Sequence, residues 1–225
     1  QGDGVKKAAA RDLGAAIAER RDAATTVSAA LVLCHAVGIR VFATGGIGGV
    51  HRSPAFDESG DLIELARTPA IVVCTGAKSV LDIPATIERL ETLGVAVIGY
   101  RTSEFPGFHY ASTGIPVPNR QDDVGGIVEA YLAQRALGHP AAVVVVQAPP
   151  ADAALARGDV ERALTAALSS AETAGIRGGA LTPWLLSELS RQTEGRTITV
   201  NLALLEANAR LAAELSVRLA SHRDS

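Results

Sequence analysis

Apolar residues along this chain come in two alternating textures: short runs rich in Val and Ile, and longer stretches in which apolar positions recur every three or four residues. The short runs predict strands at 40–44, 71–74, 95–100 and 142–147. The last three are apolar on both faces, as expected of a sheet covered by helices on both sides. The longer stretches predict helices at 8–19, 25–37, 61–66, 79–93, 124–137, 151–174, 183–192 and 202–219. Thr25 or Thr26 would cap the second helix and Gly38 would close it. Strands alternating with helices imply an α/β layered fold. The segment 101–122, rich in Pro, Gly, Ser and aromatics, reads as a long ordered loop.

Length and charge narrow the picture. The 225 residues fit one domain, and no apolar run approaches the roughly 20 residues that cross a bilayer, so no membrane partner is expected. The 21 basic and 24 acidic residues are interspersed, which argues against nucleic acid and for a small ligand. Cys34 and Cys74 lie in apolar segments without metal-knuckle spacing, so buried reduced thiols and a cytoplasmic location are expected. The chain has no Met and opens on Gln1, so a further amino-terminal segment is expected upstream.

Three segments carry candidate chemistry. Thr44-Gly45-Gly46-Ile47-Gly48-Gly49-Val50-His51-Arg52 follows a strand, and its glycines would let backbone N–H groups approach an anion or a sugar; a tight strand-to-helix turn is the alternative. His51 reads as a general acid/base or as a loop residue bonded to a carbonyl. Asp57, Glu58 and Asp61 offer oxygen ligands to a hard cation, or, with Ser59, cap a helix. Lys78 stands just past the carboxyl end of the apolar 71–74 strand, where open α/β sheets place ligands. Desolvated there, it would supply the free amine for a Schiff base; a phosphate-binding or surface lysine is the alternative. Asp82 and Glu88 read as solvated helix charges, Phe105-Pro106-Gly107-Phe108 as a packed loop anchor, and Trp184 as core.

Four blocks, Phe42 to Arg52, Cys74 to Pro84, Glu104 to Phe108 and Thr182 to Leu186, resemble the motifs of pseudouridine-5'-phosphate glycosidases, in that family's order. The likeness runs from Lys7 to about Ala213. It implies an α/β/α sandwich around a mostly parallel or mixed sheet, a homotrimer, and a divalent metal, Mn²⁺ in particular. It also implies that Lys78 forms a Schiff base with ring-opened ribose 5-phosphate, that Asp57 is the metal ligand and that His51 is an active-site residue. Lys7, Thr26, the Val27 backbone and Ser59 correspond to phosphate contacts, with Gly60 and Asp61 beside them; Thr44 would line the ribose pocket and Asn201 address the base. The family's proton-donating glutamate belongs to an amino-terminal segment, so residues 1–225 are expected to form a single catalytic domain lacking that segment.

Three positions depart from the family pattern, Arg101, Thr113 and Gln147, and they are expected to border the base site. That expectation leaves two enzymatic readings open. One is turnover of pseudouridine 5'-phosphate with uracil as the base; the other is C-ribosylation of an aromatic aglycone in antibiotic biosynthesis. A non-catalytic sugar-phosphate binding protein is a third reading.

Overall fold

The structure, a computed structural model, describes residues 5–52, 56–176 and 181–222. Its centre is a five-stranded sheet, all parallel, built from β3 (Val41–Ala43), β4 (Ile71–Cys74), β5 (Ala96–Tyr100), β6 (Asn119–Gln121) and β7 (Val143–Val146) in the order β3-β4-β7-β5-β6. The four valines of β7 are fully buried at the middle of the sheet. Val144 and Val146 point into one apolar cluster and Val143 and Val145 into the other, which is the two-residue period of a strand covered on both faces.

The helices are α1 (Leu13–Ala18), α2 (Val27–Ala36), α3 (Gly60–Leu65), α4 (Ile83–Thr92), α5 (Val124–Ala136), α6 (Arg157–Thr173), α7 (Leu181–Gln192) and α8 (Arg196–Ser221). Residues of α5 and α8 pack on one face of the sheet, and those of α2, α3, α4, α6 and α7 on the other. The result is the expected three-layer α/β/α sandwich. No helix among the described residues is long and apolar enough to cross a membrane.

Several local expectations change. The predicted helix at 8–19 is instead strand β1 (Lys6–Ala8), a single 3₁₀ turn at Ala10–Asp12 and the short α1. Strand β1 pairs in parallel with β2 (Ala23–Thr25) in a small separate sheet. The predicted helix at 79–93 starts at Ile83, because Asp82 is its N-cap and accepts from Ala85 N at 3.0 Å; Asp82 is thus a cap and not a solvated charge. The helix predicted at 151–174 begins at Arg157. The helices predicted at 183–192 and 202–219 extend to Leu181–Gln192 and Arg196–Ser221. Within 101–122 the chain forms β6, whose three polar residues carry no strand signal of their own. Trp184 is 36% exposed, so it is not core.

One buried amide ties the layers together. Asn208 of α8 is fully buried and donates to the carbonyl of Thr44, at the end of β3, at 2.8 Å. It also donates to Thr75 Oγ1, at the end of β4, at 3.1 Å, and accepts from Gln147 Nε2, at the end of β7, at 2.8 Å. The carboxyl ends of three neighbouring strands are thereby fixed against one helix. Replacing Asn208 with Leu keeps the branched outline, although the methyls are larger than the amide atoms, and orphans buried polar groups, each worth about 1 to 3 kcal/mol. The expected result is a loss of about 3 kcal/mol, read as a fall of roughly 6 to 12 °C in the thermal midpoint for a domain of this size.

Candidate active site

The loops leaving β3 and β4 lie at the same edge of the sheet because the strands are parallel. They are cross-linked by Ile47 N donating to Gly76 O at 3.0 Å and Lys78 N donating to Ile47 O at 3.2 Å. Gly46 has no alternative: a Cβ there would lie 2.7 Å from the Phe108 ring. At Gly48 a side chain would collide with Ser59 and Asp61. The glycine run is therefore a close-packing device as much as a ligand loop.

Asp61 explains that packing. It is 4% exposed, and its two carboxylate oxygens accept from Ser28 N and Gly48 N, each at 2.8 Å. The start of α2, the glycine loop and α3 are thus clamped to one charge, and charge-assisted bonds to backbone N–H groups offset its burial. Thr26 is the N-cap of α2, its hydroxyl accepting from Ala29 N at 3.3 Å and lying 2.8 Å from Ser28 Oγ. Ser59 caps α3, accepting from Asp61 N at 3.2 Å.

Between these elements lies a cavity of about 830 Å³. It is lined by every residue to which the family resemblance gave a catalytic, substrate or metal role: Lys7, Thr26, Val27, Thr44, His51, Asp57, Ser59, Gly60, Asp61, Lys78 and Asn201. Lys78 is the reactive candidate. Burial pushes its amine below the ordinary 10.5; the Asp61 carboxylate opposes that shift and the Lys7 cation adds to it. Lys7, carried on β1, and Arg11 bring positive charge to the end of the cavity formed by the caps of α2 and α3.

The three carboxylates at 57–61 divide their work. Asp61 is occupied by backbone amides, and Glu58 pairs with Arg89 at 2.8 Å. Asp57 alone faces the cavity with no side-chain partner among the described residues. Its backbone carbonyl accepts from His51 N at 2.8 Å, which holds His51 on the cavity wall. Among the described residues no three His, Cys, Asp or Glu side chains gather as a metal cluster.

The expected border of the base site is corrected. Arg101, Thr113 and Gln147 do not line the cavity. Arg101 is exposed, stacks over Tyr100 and bonds Asp122 O; Thr113 is bonded to Phe105 O at 2.7 Å; Gln147 belongs to the Asn208 network. The wall near Asn201 is made instead by Leu186 of α7 and by Ile198 and Leu205 of α8. Sequence reasoning also missed Ser28, Phe108 and His109, which line the cavity. Their signal was adjacency, Ser28 two residues after Thr26 and His109 directly after the Phe105–Phe108 block.

A family-level sequence model described as Indigoidine synthase A like protein matches residues 1–218. The chain belongs to this family. It is 59% identical over 219 residues to the pseudouridine-5'-phosphate glycosidase of Gemmatimonas aurantiaca, covering 97% of this chain and 72% of that protein. To the protein of the same name from Herpetosiphon aurantiacus it is 48% identical over 217 residues, covering 96% and 72%. Among solved structures, it is similar to the prealnumycin C-glycosynthase AlnA in complex with ribulose 5-phosphate, at a TM-score of 0.94 and 37% identity, covering all of this chain and 74% of that one. An indigoidine synthase A-like protein from Thermotoga maritima matches at a TM-score of 0.90 and 37% identity, over 96% of this chain and 72% of that one.

In this member of the family Asp61 acts as a clamp between the start of α2, the glycine loop and α3. Asp61→Asn sets an amide N–H₂ against a backbone N–H and removes a negative charge near Lys78. A stability loss of about 2 kcal/mol is expected, together with a lower Lys78 pKa, since the carboxylate is what raises it. The pH dependence of Lys78 modification by an amine-reactive reagent should therefore move to lower pH. An unchanged melting curve with an unchanged profile would mean that Asp61 is no clamp.

Proposed function

We propose that the chain makes and breaks the C–C bond between ribose 5-phosphate and uracil, as a pseudouridine-5'-phosphate glycosidase, through a Schiff base on Lys78. The observation that carries this is the position and state of Lys78: past the end of β4, inside the cavity, with burial lowering its amine pKa. A free amine is the form that attacks an aldehyde. The 59% identity to a protein named for this activity supports the same reading.

In the synthetic direction the Lys78 amine adds to C1 of the open-chain sugar, and water leaves with the former carbonyl oxygen. The iminium carbon then accepts the electron pair of the nucleophilic base carbon, which afterwards loses its proton. Attack of the sugar's C4 hydroxyl on C1 closes the ring and releases the amine; cleavage is the reverse. Lys7, Thr26, the Val27 N–H, Ser59 and Gly60 would hold the phosphate, Thr44 the ribose and Asn201 the base, with His51 available to move protons.

The residues fit a hard divalent ion, Mn²⁺ in this proposal, through Asp57, the carboxylate left uncommitted beside the phosphate end. Such ions accept one or two carboxylates and complete their shell with water and phosphate oxygens. When bound, the ion would supply positive charge to offset the phosphate dianion. Homotrimeric assembly in the cytoplasm belongs to the same proposal. Exposed Leu33, Val37 and Ile39 at the end of α2 are surface that a neighbouring subunit would cover, and the two free cysteines suit a reducing compartment.

The likeness to AlnA favours a second reading, attachment of ribose 5-phosphate to an aromatic aglycone. It is the weaker one, because the three departures that suggested it lie off the cavity. A non-catalytic sugar-phosphate binder has no use for a lysine whose amine is held below its ordinary pKa.

Borohydride reduction in the presence of ribose 5-phosphate should label Lys78 covalently, and uracil with ribose 5-phosphate should yield pseudouridine 5'-phosphate. Lys78→Ala and Lys78→Arg should each remove the label and cut turnover on the order of a hundredfold or more, since arginine stays protonated. Retention of a large part of the rate would overturn the Schiff base.

Asp57→Ala should raise the Mn²⁺ concentration needed for half-maximal activity, with partial rescue by excess ion. An activity indifferent to chelators in the wild-type protein would remove the metal from the proposal.

A further inference from the structure

His109 is an imidazole that the proposed chemistry leaves unused, although its surroundings are specific. The residue is 2% exposed and lines the cavity. Its Nδ1 lies 2.9 Å from Ser79 Oγ, on the residue that follows Lys78. Its ring meets that of Phe108 edge-on at 4.6 Å, and its carbonyl accepts from Leu155 N at 2.9 Å, so the imidazole is held from several sides.

The proton on this ring can be placed. Ser79 is 2% exposed, and His109 Nδ1 is the partner of its hydroxyl among the described residues. A buried hydroxyl that has one acceptor within reach donates to it. Nδ1 is then the acceptor, and the ring proton sits on Nε2. Burial also pushes the imidazole down to about 4, so the ring is neutral near neutral pH. Nε2 has no hydrogen-bond partner among the described residues and yet is not among the buried polar atoms sealed from solvent. In a ring this deeply buried, its opening is the cavity.

We infer that His109 Nε2–H is a neutral hydrogen-bond donor to an oxygen of the sugar, at the end of ribose 5-phosphate that reacts with Lys78, with Ser79 setting its tautomer. An uncharged donor suits this place, because it adds no further positive charge to the balance that Asp61 and Lys7 already set on Lys78. The inference rests on the proposed sugar-phosphate chemistry of the cavity.

Two variants separate the donor from the packing. Asparagine at 109 can still accept from Ser79 through its Oδ1, but its amide ends short of the cavity. Glutamine can place an amide N–H near the position of Nε2. Affinity for ribose 5-phosphate, with no base present, is measured by calorimetry, alongside the rate of borohydride trapping on Lys78 and the thermal midpoint. His109→Asn should weaken the affinity and slow trapping on the order of tenfold, the scale of one neutral hydrogen bond. His109→Gln should stay within about threefold of wild type. If the Asn variant behaves like wild type, or if both variants lose affinity equally, the donor does not exist and the ring only packs. Wild-type protein that binds ribose 5-phosphate but is never labelled would instead sink the Schiff base while leaving the His109 comparison readable from affinity.

Discussion

The buried carboxylate of Asp61 is the constraint from which most of the site follows. A charge at 4% exposure must be satisfied, and the groups that satisfy it are the N–H of Ser28 and the N–H of Gly48, from two segments that the carboxylate joins. Once they meet, Gly48 has no room for a side chain, the caps of α2 and α3 face the same space, and the glycine loop is drawn onto the turn that carries Lys78. The same charge then acts on Lys78, favouring its cation while burial disfavours it. One residue thus sets both the shape of the cavity end lined by the caps of α2 and α3 and the balance between ammonium and amine on Lys78.

Lys7 works on that balance from the opposite side. It stands on the small β1–β2 sheet, outside the main fold, and its positive charge lowers the Lys78 pKa further. Two lysines that face one cavity therefore divide the roles. The exposed one offers a positive charge that suits an anion, and the buried one is biased to lose its proton. His109, on the same cavity wall, stays neutral through burial and leaves this arrangement undisturbed.

What the sequence revealed follows the range of the forces involved. The runs at 71–74, 95–100 and 142–147 were legible because strands buried on both faces must be apolar throughout, a property visible in a few residues. Strands β1, β2 and β6 were not. Each has three residues, several of them Lys, Arg, Asn, Gln or Ala, and is a strand only because a neighbour offers a ladder. Lys78 was legible from its place after an apolar strand, whereas Asp61 was recognisable as a site residue but not as a clamp, since its partners lie 33 and 13 residues away. Arg101, Thr113 and Gln147 misled for a related reason. Nearness to a strand end says nothing about which way a side chain turns, and Gln147 turns to Asn208. His109 had only its adjacency to the Phe105–Phe108 block as a signal, because its meaning depends on Ser79, 30 residues earlier.

The bond between Asn208 and the Thr44 carbonyl spans 164 residues of chain. Closing loops of that length, in an all-parallel sheet, is slow compared with forming any of the helices. During synthesis, the ends of β3 and β4 emerge long before the helix that locks them. The cavity wall built from the ends of β3 and β4 therefore takes its final form only once α8, more than a hundred residues further along the chain, has been made and has docked on them.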